Sequence, residues 1–188
     1  MAQLARLPRH GRYTARDLWR MPDDDKRYEI IEGEVVVSPA PYVSHQQALA
    51  NLYDIVKAHV AKHALGVVLF APVGVVLETL SGVEPDLVFV AKARRAIIQA
   101  KGIFGAPDLA VEILSPSTAA RDRGRKRDLY ARTGVAHYWY VDPRAGKLTA
   151  LRLDGARYAV EAEVGPRGTF KPSLFPGLVI RLRDVLAR

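Results

Sequence analysis

Hydrophobic and polar positions alternate near both ends of the chain, and this alternation predicts two β-hairpins. The first is expected over residues 27–32 and 34–38, hinged on Gly33, which accommodates the backbone of a tight turn. The second is expected over residues 147–153 and 157–164. Because alternate residues of a strand point to opposite faces, each hairpin should cover a core with one face.

Continuous apolar runs in the middle of the chain predict strands that are covered on both faces. These runs are 87–90, 109–114 and 137–141. A longer run rich in β-branched residues, 67–78, contains Pro72 and Gly74 and should therefore bend. The dipeptide Ser81-Gly82 is typical of a turn.

Helical periodicity appears between these strands. Ser44 is expected to cap a helix that runs to about Ala64, because leucine and valine recur on one face at positions 49, 52, 56 and 60. A second, strongly basic helix is expected over residues 121–132. Thr14 should cap a short helix near the N-terminus.

The order of these elements predicts an α/β or α+β fold with a mixed central sheet. A length of 188 residues suits one domain, 1–188, that begins with a polar lead-in over 1–26, including an acidic turn at 23–25. A hydrophobic share of 49% is enough for a sizeable core, which argues against disorder. A signal peptide and a membrane-spanning run are not recognisable, so a cytoplasmic location is expected.

The formal net charge of +8 favours partners that carry phosphates or other anions. Arginine supplies most of the positive charge and suits bidentate phosphate contacts, although genomic composition explains the bias equally well. The chain has no cysteine, which excludes disulfides, thiolate nucleophiles and zinc–thiolate sites. The lack of cysteine, with few Asn and Met residues, fits a thermophilic source.

Asp86 and Glu112 each place one acid in an otherwise apolar strand segment. A glutamate inside a buried strand is costly unless it is paired, protonated or bound to a metal. A divalent cation shared by both acids, Mg²⁺ or Mn²⁺, would compensate the charge. Two alternatives remain open: Glu112 could pair with an arginine, and Asp86 could be a turn or strand-cap residue after Pro85.

Lys126 is the third candidate catalytic residue. Asp122, Lys126 and Tyr130 are spaced four residues apart and so share one face of the basic helix. A lysine projecting from that face toward the acids could orient the attacking water and stabilise a pentacovalent phosphate. Alternatively, Lys126 covers apolar surface with its alkyl stem, and Asp122 interacts with the helix dipole.

Several motifs together resemble the Uma2 family of restriction-endonuclease-like proteins. They are PDLVFV, DLAVEILSPST, D-x-x-x-K-x-x-x-Y and GVAHYWYVDP, with YEIIEGEVVVSPAPYVSHQ and FPGLVIRLRDVL near the ends. The resemblance covers nearly the whole chain from about Tyr28. It implies the PD-(D/E)XK nuclease fold, a mixed central sheet flanked by helices. Pro85-Asp86 then matches the PD element and Glu112 the (D/E) position. Leu114 stands where the family pattern of that fold has lysine, which points to Lys126 on the next helix.

The resemblance adds accessory candidates. His45 lies at the edge of the buried face of the first long helix, where it is either near the site or a helix-start residue. Glu29 and Glu32 lie in the first hairpin, and an N-terminal glutamate often joins the metal site in nucleases of this fold. The basic run of the second helix either binds phosphates or forms a solvated face; its arginines are Arg121, Arg123, Arg125 and Arg127.

Three functions follow from these observations. The first is a Mg²⁺-dependent endonuclease acting on DNA, working as a homodimer so that both strands are cut. The second is a catalytically inactive module that binds nucleic acid or serves in assembly. The third is a hydrolase for another phosphodiester or a small anion, which would need a deep pocket in place of an open groove.

Overall fold

A computed structural model describes residues 11–24 and 26–187 of the chain. The lead-in predicted over 1–26 and the acidic turn predicted at 23–25 therefore lie partly outside the described residues. Ala15–Arg20 forms a 3-10 helix. The carboxylate of Asp17 accepts a hydrogen bond from the backbone N–H of Thr14 at 2.8 Å, so the predicted cap at Thr14 is confirmed.

Two six-stranded sheets form the body of the protein. The strands of the first sheet are β1 (Arg27–Ile31), β2 (Glu34–Ser38), β4 (Val75–Glu78), β5 (Ser81–Val83), β7 (Ile98–Gln99) and β8 (Gly102–Phe104). Their order across the sheet is β2-β1-β5-β4-β8-β7. The strands of the second sheet are β3 (Gly66–Phe70), β6 (Leu87–Ala91), β9 (Leu109–Ile113), β10 (His137–Asp142), β11 (Lys147–Asp154) and β12 (Arg157–Val164). Their order is β12-β11-β10-β9-β6-β3. Parallel and antiparallel pairs occur in both sheets, which confirms the predicted mixed α+β fold.

One long helix and one interrupted helix flank the sheets. The long helix, α1, covers Val43–Lys62 and has Tyr42 as its N-cap residue, so the predicted cap at Ser44 is wrong: Ser44 lies inside the first turn. Residues 119–133 are helical in three successive segments: α2 (Ala119–Arg121), a π-helical segment (Asp122–Lys126) and α3 (Arg127–Thr133). Smaller elements complete the described chain: a 3-10 helix (Lys92–Ile97), β13 (Thr169–Phe170), β14 (Ile180–Arg181) and α4 (Leu182–Val185). Of the helices formed by the described residues, none is long and apolar enough to cross a membrane.

The second sheet separates two apolar cores. Leu87 and Phe89 of β6 point to the core shared with α1. Val88 and Val90 point to the opposite core, which also contains residues of the first sheet and of the helix over 119–133. The alternation along β6 and β9 therefore determines which core each side chain faces, and acids two residues from Val88 or from Ala110 face the second core.

One local prediction is wrong and another is confirmed. Ser81-Gly82 is not a turn but the start of β5, where Gly82 pairs with Ile30 of β1. A Cβ at Gly82 would lie 3.1 Å from the Cβ of Ala15, so glycine here permits the close approach of the N-terminal 3-10 helix. The run over 67–78 bends as predicted, and its two halves become β3 and β4 in different sheets.

Candidate active site

Asp86 immediately precedes β6, and Glu112 lies in β9, the neighbouring strand of the second sheet. β6 and β9 are antiparallel with Leu87 opposite Val111, so extending that register by one residue places Asp86 opposite Glu112. A side-chain oxygen of Asp86 (Oδ2) accepts a hydrogen bond from the N–H of Ile113 at 2.7 Å. Both acids are almost fully buried and face the second core. The sheet thus brings together the two acids that the sequence singled out.

Lys126 bridges two buried glutamates. Its Nζ lies 2.5 Å from Oε1 of Glu112 and 2.7 Å from Oε1 of Glu29. Tyr130 donates a hydrogen bond to the same Oε1 of Glu112 at 2.8 Å. The side chain of Lys126 is 1% exposed, so the ammonium is enclosed by the protein. The lysine on the helix over 119–133 therefore reaches the acids of both sheets.

Burial changes the charge states of these groups. Burial raises the pKa of Glu112 to about 8, and the carboxylates of Asp122, Asp86 and Glu29 add to this effect against the attraction of Lys126. Burial opposes the charge of Lys126, but the surrounding carboxylates outweigh it and raise the lysine pKa above its ordinary value. Lys126 is therefore charged at neutral pH, and Glu112 keeps its proton to a higher pH than an ordinary glutamate does.

Asp86 and Glu29 behave in the opposite way. Burial would raise the pKa of Asp86, but its hydrogen bond with His45 and the charge of Arg27 hold that pKa below its ordinary value. His45 Nε2 lies 3.1 Å from Oδ2 of Asp86, and Arg27 Nη2 lies 2.5 Å from Oδ1. Burial likewise opposes the charge of Glu29, and Lys126 leads the cations that keep its pKa low. Both acids are therefore ionised at neutral pH.

An open cleft of about 480 Å³ reaches this cluster. Asp86, His45, Arg27 and Glu84 are among the residues that line it. Residues 38–42 and 115–118 also contribute to its walls. The volume falls within the range of about 300–1,000 Å³ that is usual for ligand pockets. Solvent and an anionic ligand can therefore approach Asp86 from one side.

The donor set fits a hard divalent cation held by two carboxylates. Asp86 and Glu112 provide hard oxygen donors on facing strands, the chemistry such cations prefer. In the described part of the chain, Oε2 of Glu29 and Oδ1 of Asp122 are buried without a hydrogen-bond partner. Among residues 11–24 and 26–187, no three acid, histidine or cysteine side chains converge as a complete metal site. Water and substrate would therefore have to supply the remaining ligands.

The other acids expected from the sequence lie in two different places. Asp122 is 2% exposed and faces the cluster around Lys126, and it also lies in the first turn of the π-helical segment, where an acid complements the helix dipole. Glu32 is exposed at the hairpin turn with φ of 56°, and it pairs with Arg132 at 3.1 Å. The first hairpin therefore contributes Glu29 to the cluster and directs Glu32 away from it.

The four arginines of the helical run also separate. Arg121 points inward, donating to Ser38 at 2.9 Å and lying 3.5 Å from Glu29. The other three are exposed and pair with surface acids: Arg123 with Asp142, Arg125 with Glu34 and Arg127 with Asp128. Arg121 is thus part of the cluster, while the other three form an exposed basic face.

Arg27, Glu84 and Ser38 are site residues that the sequence did not single out. Strand alternation offered one signal, because Arg27 and Glu29 are two residues apart in β1 and share a face. The N–H of Glu84 donates to Oε1 of Glu29 at 3.0 Å. These contacts join β1 to the segment just before β6, a pairing over more than fifty residues that local patterns do not reveal.

Comparisons with known proteins agree with this architecture. A crystal structure of a "putative nuclease belonging to DUF820" from Anabaena variabilis ATCC 29413 has a TM-score of 0.77 and 18% sequence identity, covering 93% of this chain and 98% of that chain. At this identity the likeness shows a shared fold. Comparison with curated proteins gave no match. A family model described as "Uma2: Putative restriction endonuclease" matches residues 15–183. Because this match spans far more than half of the sequence, the chain belongs to the Uma2 family.

Proposed function

We propose that this protein is a divalent-metal-dependent nuclease that hydrolyses DNA phosphodiester bonds at the Asp86–Glu112 cluster. The single observation that carries the proposal is the pairing of these two buried acids across β6 and β9, with a charged lysine at Glu112 and an open cleft at Asp86. The family and the fold support a nuclease-type activity. The net charge of +8 suits a polyanionic substrate.

Asp86 and Glu112 would hold Mg²⁺ or Mn²⁺. Mg²⁺ is usually bound through one or two carboxylates and completes its shell with water and substrate phosphate, so two protein ligands suffice. Such an ion, when bound, activates water and neutralises charge on the phosphate. His45 and the N–H of Ile113 orient Asp86 through its Oδ2 atom. Tyr130 fixes Glu112 in the same way through Oε1.

Lys126 would stabilise negative charge that develops on the scissile phosphate. Its ammonium is preorganised by Glu29 and Glu112 and is shielded from water, which strengthens its electrostatic effect. Glu29 in turn is held by the backbone N–H of Glu84. In this arrangement Lys126 performs the task of the strand lysine, whose usual position is occupied by Leu114.

The test is cleavage of supercoiled plasmid, linear duplex, single-stranded DNA and RNA with Mg²⁺ or Mn²⁺. Asp86→Asn and Glu112→Gln preserve size while replacing a carboxylate that would bind the metal, and we expect each to lower the rate by about 100-fold or more. Asp128→Asn is the matched control, because Asp128 is exposed on α3 and pairs only locally with Arg127. Equal rates in all four proteins would reject the assignment.

A catalytically inactive nucleic-acid-binding module is the second candidate. It is favoured by the basic side chains that already neutralise both acids, Arg27 at Asp86 and Lys126 at Glu112. Salt-sensitive DNA binding without divalent-dependent cleavage would support it. A homodimer is expected for the nuclease because cutting both strands needs two sites, and light scattering coupled to size exclusion would measure the oligomeric state.

A further inference from the structure

Arg27 occupies the oxygen of Asp86 that a metal ion would need. Its Nη2 lies 2.5 Å from Oδ1, while Oδ2 already accepts from the backbone N–H of Ile113 at 2.7 Å and lies 3.1 Å from His45 Nε2. Oδ2 is thus held by a backbone donor as well as by His45, whereas Oδ1 contacts the side chain of Arg27 at the cleft wall. A cation and the Arg27 guanidinium therefore compete for the same position.

Electrostatics makes this competition strong. Two positive charges in contact with the same carboxylate repel each other far more strongly inside a protein than in water, because the effective dielectric constant is lower there. A divalent ion at Asp86 would repel a guanidinium in contact with the same carboxylate still more. While Arg27 stays in contact with Asp86, the metal affinity of the site is therefore low. Tight metal binding requires Arg27 to move away.

Arg27 has somewhere to move. Its side chain is 23% exposed, and it lines the cleft through which a nucleic-acid backbone would reach Asp86. Glu84 lies 3.9 Å from its Nε and can hold the near side of the guanidinium. The other side would then face the cleft, where a guanidinium matches the two oxygens of a phosphate.

We propose that Arg27 exchanges Asp86 for a phosphate of the nucleic acid, so that substrate and metal ion bind cooperatively. The proposal rests on the nuclease function proposed above. Without substrate, Arg27 holds the Asp86 carboxylate and keeps the metal affinity low. A backbone phosphate in the cleft attracts the guanidinium and releases Oδ1 to the cation. By linkage, bound metal raises the affinity for the phosphate by the same factor.

The test measures Mn²⁺ binding by calorimetric titration in the absence of nucleic acid. Arg27→Gln removes the competing charge, and we expect it to bind Mn²⁺ at least about tenfold more tightly than wild type. Arg183→Gln is the control, since Arg183 is exposed in α4, pairs with Asp184 and lies outside the residues lining the cleft. It should leave the Mn²⁺ affinity unchanged. Arg27→Lys retains a charge and should remain close to wild type in this measurement.

The second experiment measures binding of a short DNA oligonucleotide with and without Mn²⁺. All proteins in it keep Asp86, and the temperature is low to limit cleavage. Wild type should bind DNA more tightly when Mn²⁺ is present, and Arg27→Gln should lose most of that gain and bind DNA about tenfold more weakly. The melting temperature of each variant checks that it is folded. Arg27→Lys, whose contacts with a phosphate are not bidentate, should show an intermediate gain.

The outcomes separate the exchange from the proposed function. If wild type binds Mn²⁺ and Arg27→Gln binds it no more tightly, the exchange is wrong while the nuclease proposal stands. If neither protein binds Mn²⁺ at millimolar concentration, the metal-dependent function itself is contradicted, and the exchange with it. Tighter Mn²⁺ binding together with weaker DNA binding in Arg27→Gln supports the exchange.

Discussion

Glu112 links the stability of the protein to pH. The carboxyl has an ordinary pKa of 4.5 in the unfolded chain, and burial raises its pKa to about 8 in the folded protein. Between these values the folded state binds a proton that the unfolded state has released. Stability must therefore decrease as pH rises from about 4.5 to about 8, in proportion to this difference in bound protons.

Glu112→Gln should remove this penalty. The amide keeps an oxygen that can accept from Tyr130 and Lys126 but cannot ionise, so we expect the variant to melt several degrees above wild type at pH 8. The gap should close toward pH 5, where Glu112 is protonated in the folded protein. One kcal/mol corresponds to about 2–4 °C for a domain of this size. Thermal unfolding followed by circular dichroism from pH 5 to pH 8.5 measures the effect.

The control for Glu112→Gln is the same substitution at an exposed glutamate. Glu34→Gln changes an exposed acid that pairs with Arg125 at the surface, and its melting temperature should follow wild type across the pH range. Parallel pH curves for wild type and Glu112→Gln would contradict the raised pKa of Glu112. A higher melting temperature combined with lost cleavage would be the expected trade-off between stability and function.

At the residue scale, the sequence identified Asp86 and Glu112 as candidate acids but not all of the side chains that contact them. Asp86 and Glu112 were recognisable because each interrupts an apolar run, and helical spacing placed Lys126 on the buried face of its helix. The contact between Arg27 and Asp86 joins residues 59 positions apart. Charge alone could not predict it, because the chain contains many arginines and their long side chains reach many acids.

Among the secondary-structure elements, too, the sequence predicted those that depend on neighbouring residues and missed one that depends on distant residues. Both predicted hairpins are confirmed, since alternation and turn residues lie within each segment. β5 was mistaken for a turn because Ser-Gly is locally typical of one. Its extended conformation follows from pairing with β1 and β4 and from contact with the N-terminal 3-10 helix. Those partners are tertiary, so local sequence does not specify them.

Gly82→Ala tests whether that contact constrains β5. The new Cβ would lie 3.1 Å from the Cβ and 3.2 Å from the carbonyl oxygen of Ala15, which is tighter than ordinary van der Waals contact. Overpacking of this kind costs about 1–3 kcal/mol, so we expect the melting temperature to fall by several degrees. Gly165→Ala is the control, because the space around Gly165 is open. A Gly82→Ala protein as stable as Gly165→Ala would show that the 3-10 helix moves aside at little cost.

The whole molecule explains why the cluster forms where it does. The first sheet contributes Glu29 and Arg27, the second sheet contributes Glu112, the segment just before β6 contributes Asp86, and the helix over 119–133 contributes Lys126. The ion pair between Lys126 and Glu29 joins residues 97 positions apart, so it exists only after the helix has packed against the first sheet. The family resemblance supplied the fold from the motifs, but the arrangement of cations around the acids required the tertiary structure.

The salt dependence of binding should distinguish a long nucleic-acid backbone from a small phosphodiester as the ligand of this basic protein. If the protein contacts a nucleic-acid backbone, each neutralised phosphate releases counterions, and the logarithm of the affinity falls linearly with the logarithm of salt concentration by about 0.9 per duplex phosphate. We expect the cleavage-deficient Asp86→Asn to bind duplex DNA with a slope of about −3 or steeper between 50 and 200 mM salt. Fluorescence anisotropy of a labelled duplex gives this slope.

Arg127→Gln, introduced into Asp86→Asn, tests whether the exposed basic face takes part. Arg127 is 47% exposed and pairs with its neighbour Asp128 at the surface, so its guanidinium can turn toward a phosphate. Loss of one phosphate contact should make the slope shallower by about 1. An unchanged slope would place the duplex elsewhere on the surface. An affinity that does not respond to salt would contradict backbone binding altogether and favour a small phosphodiester confined to the cleft, because such a ligand displaces few counterions.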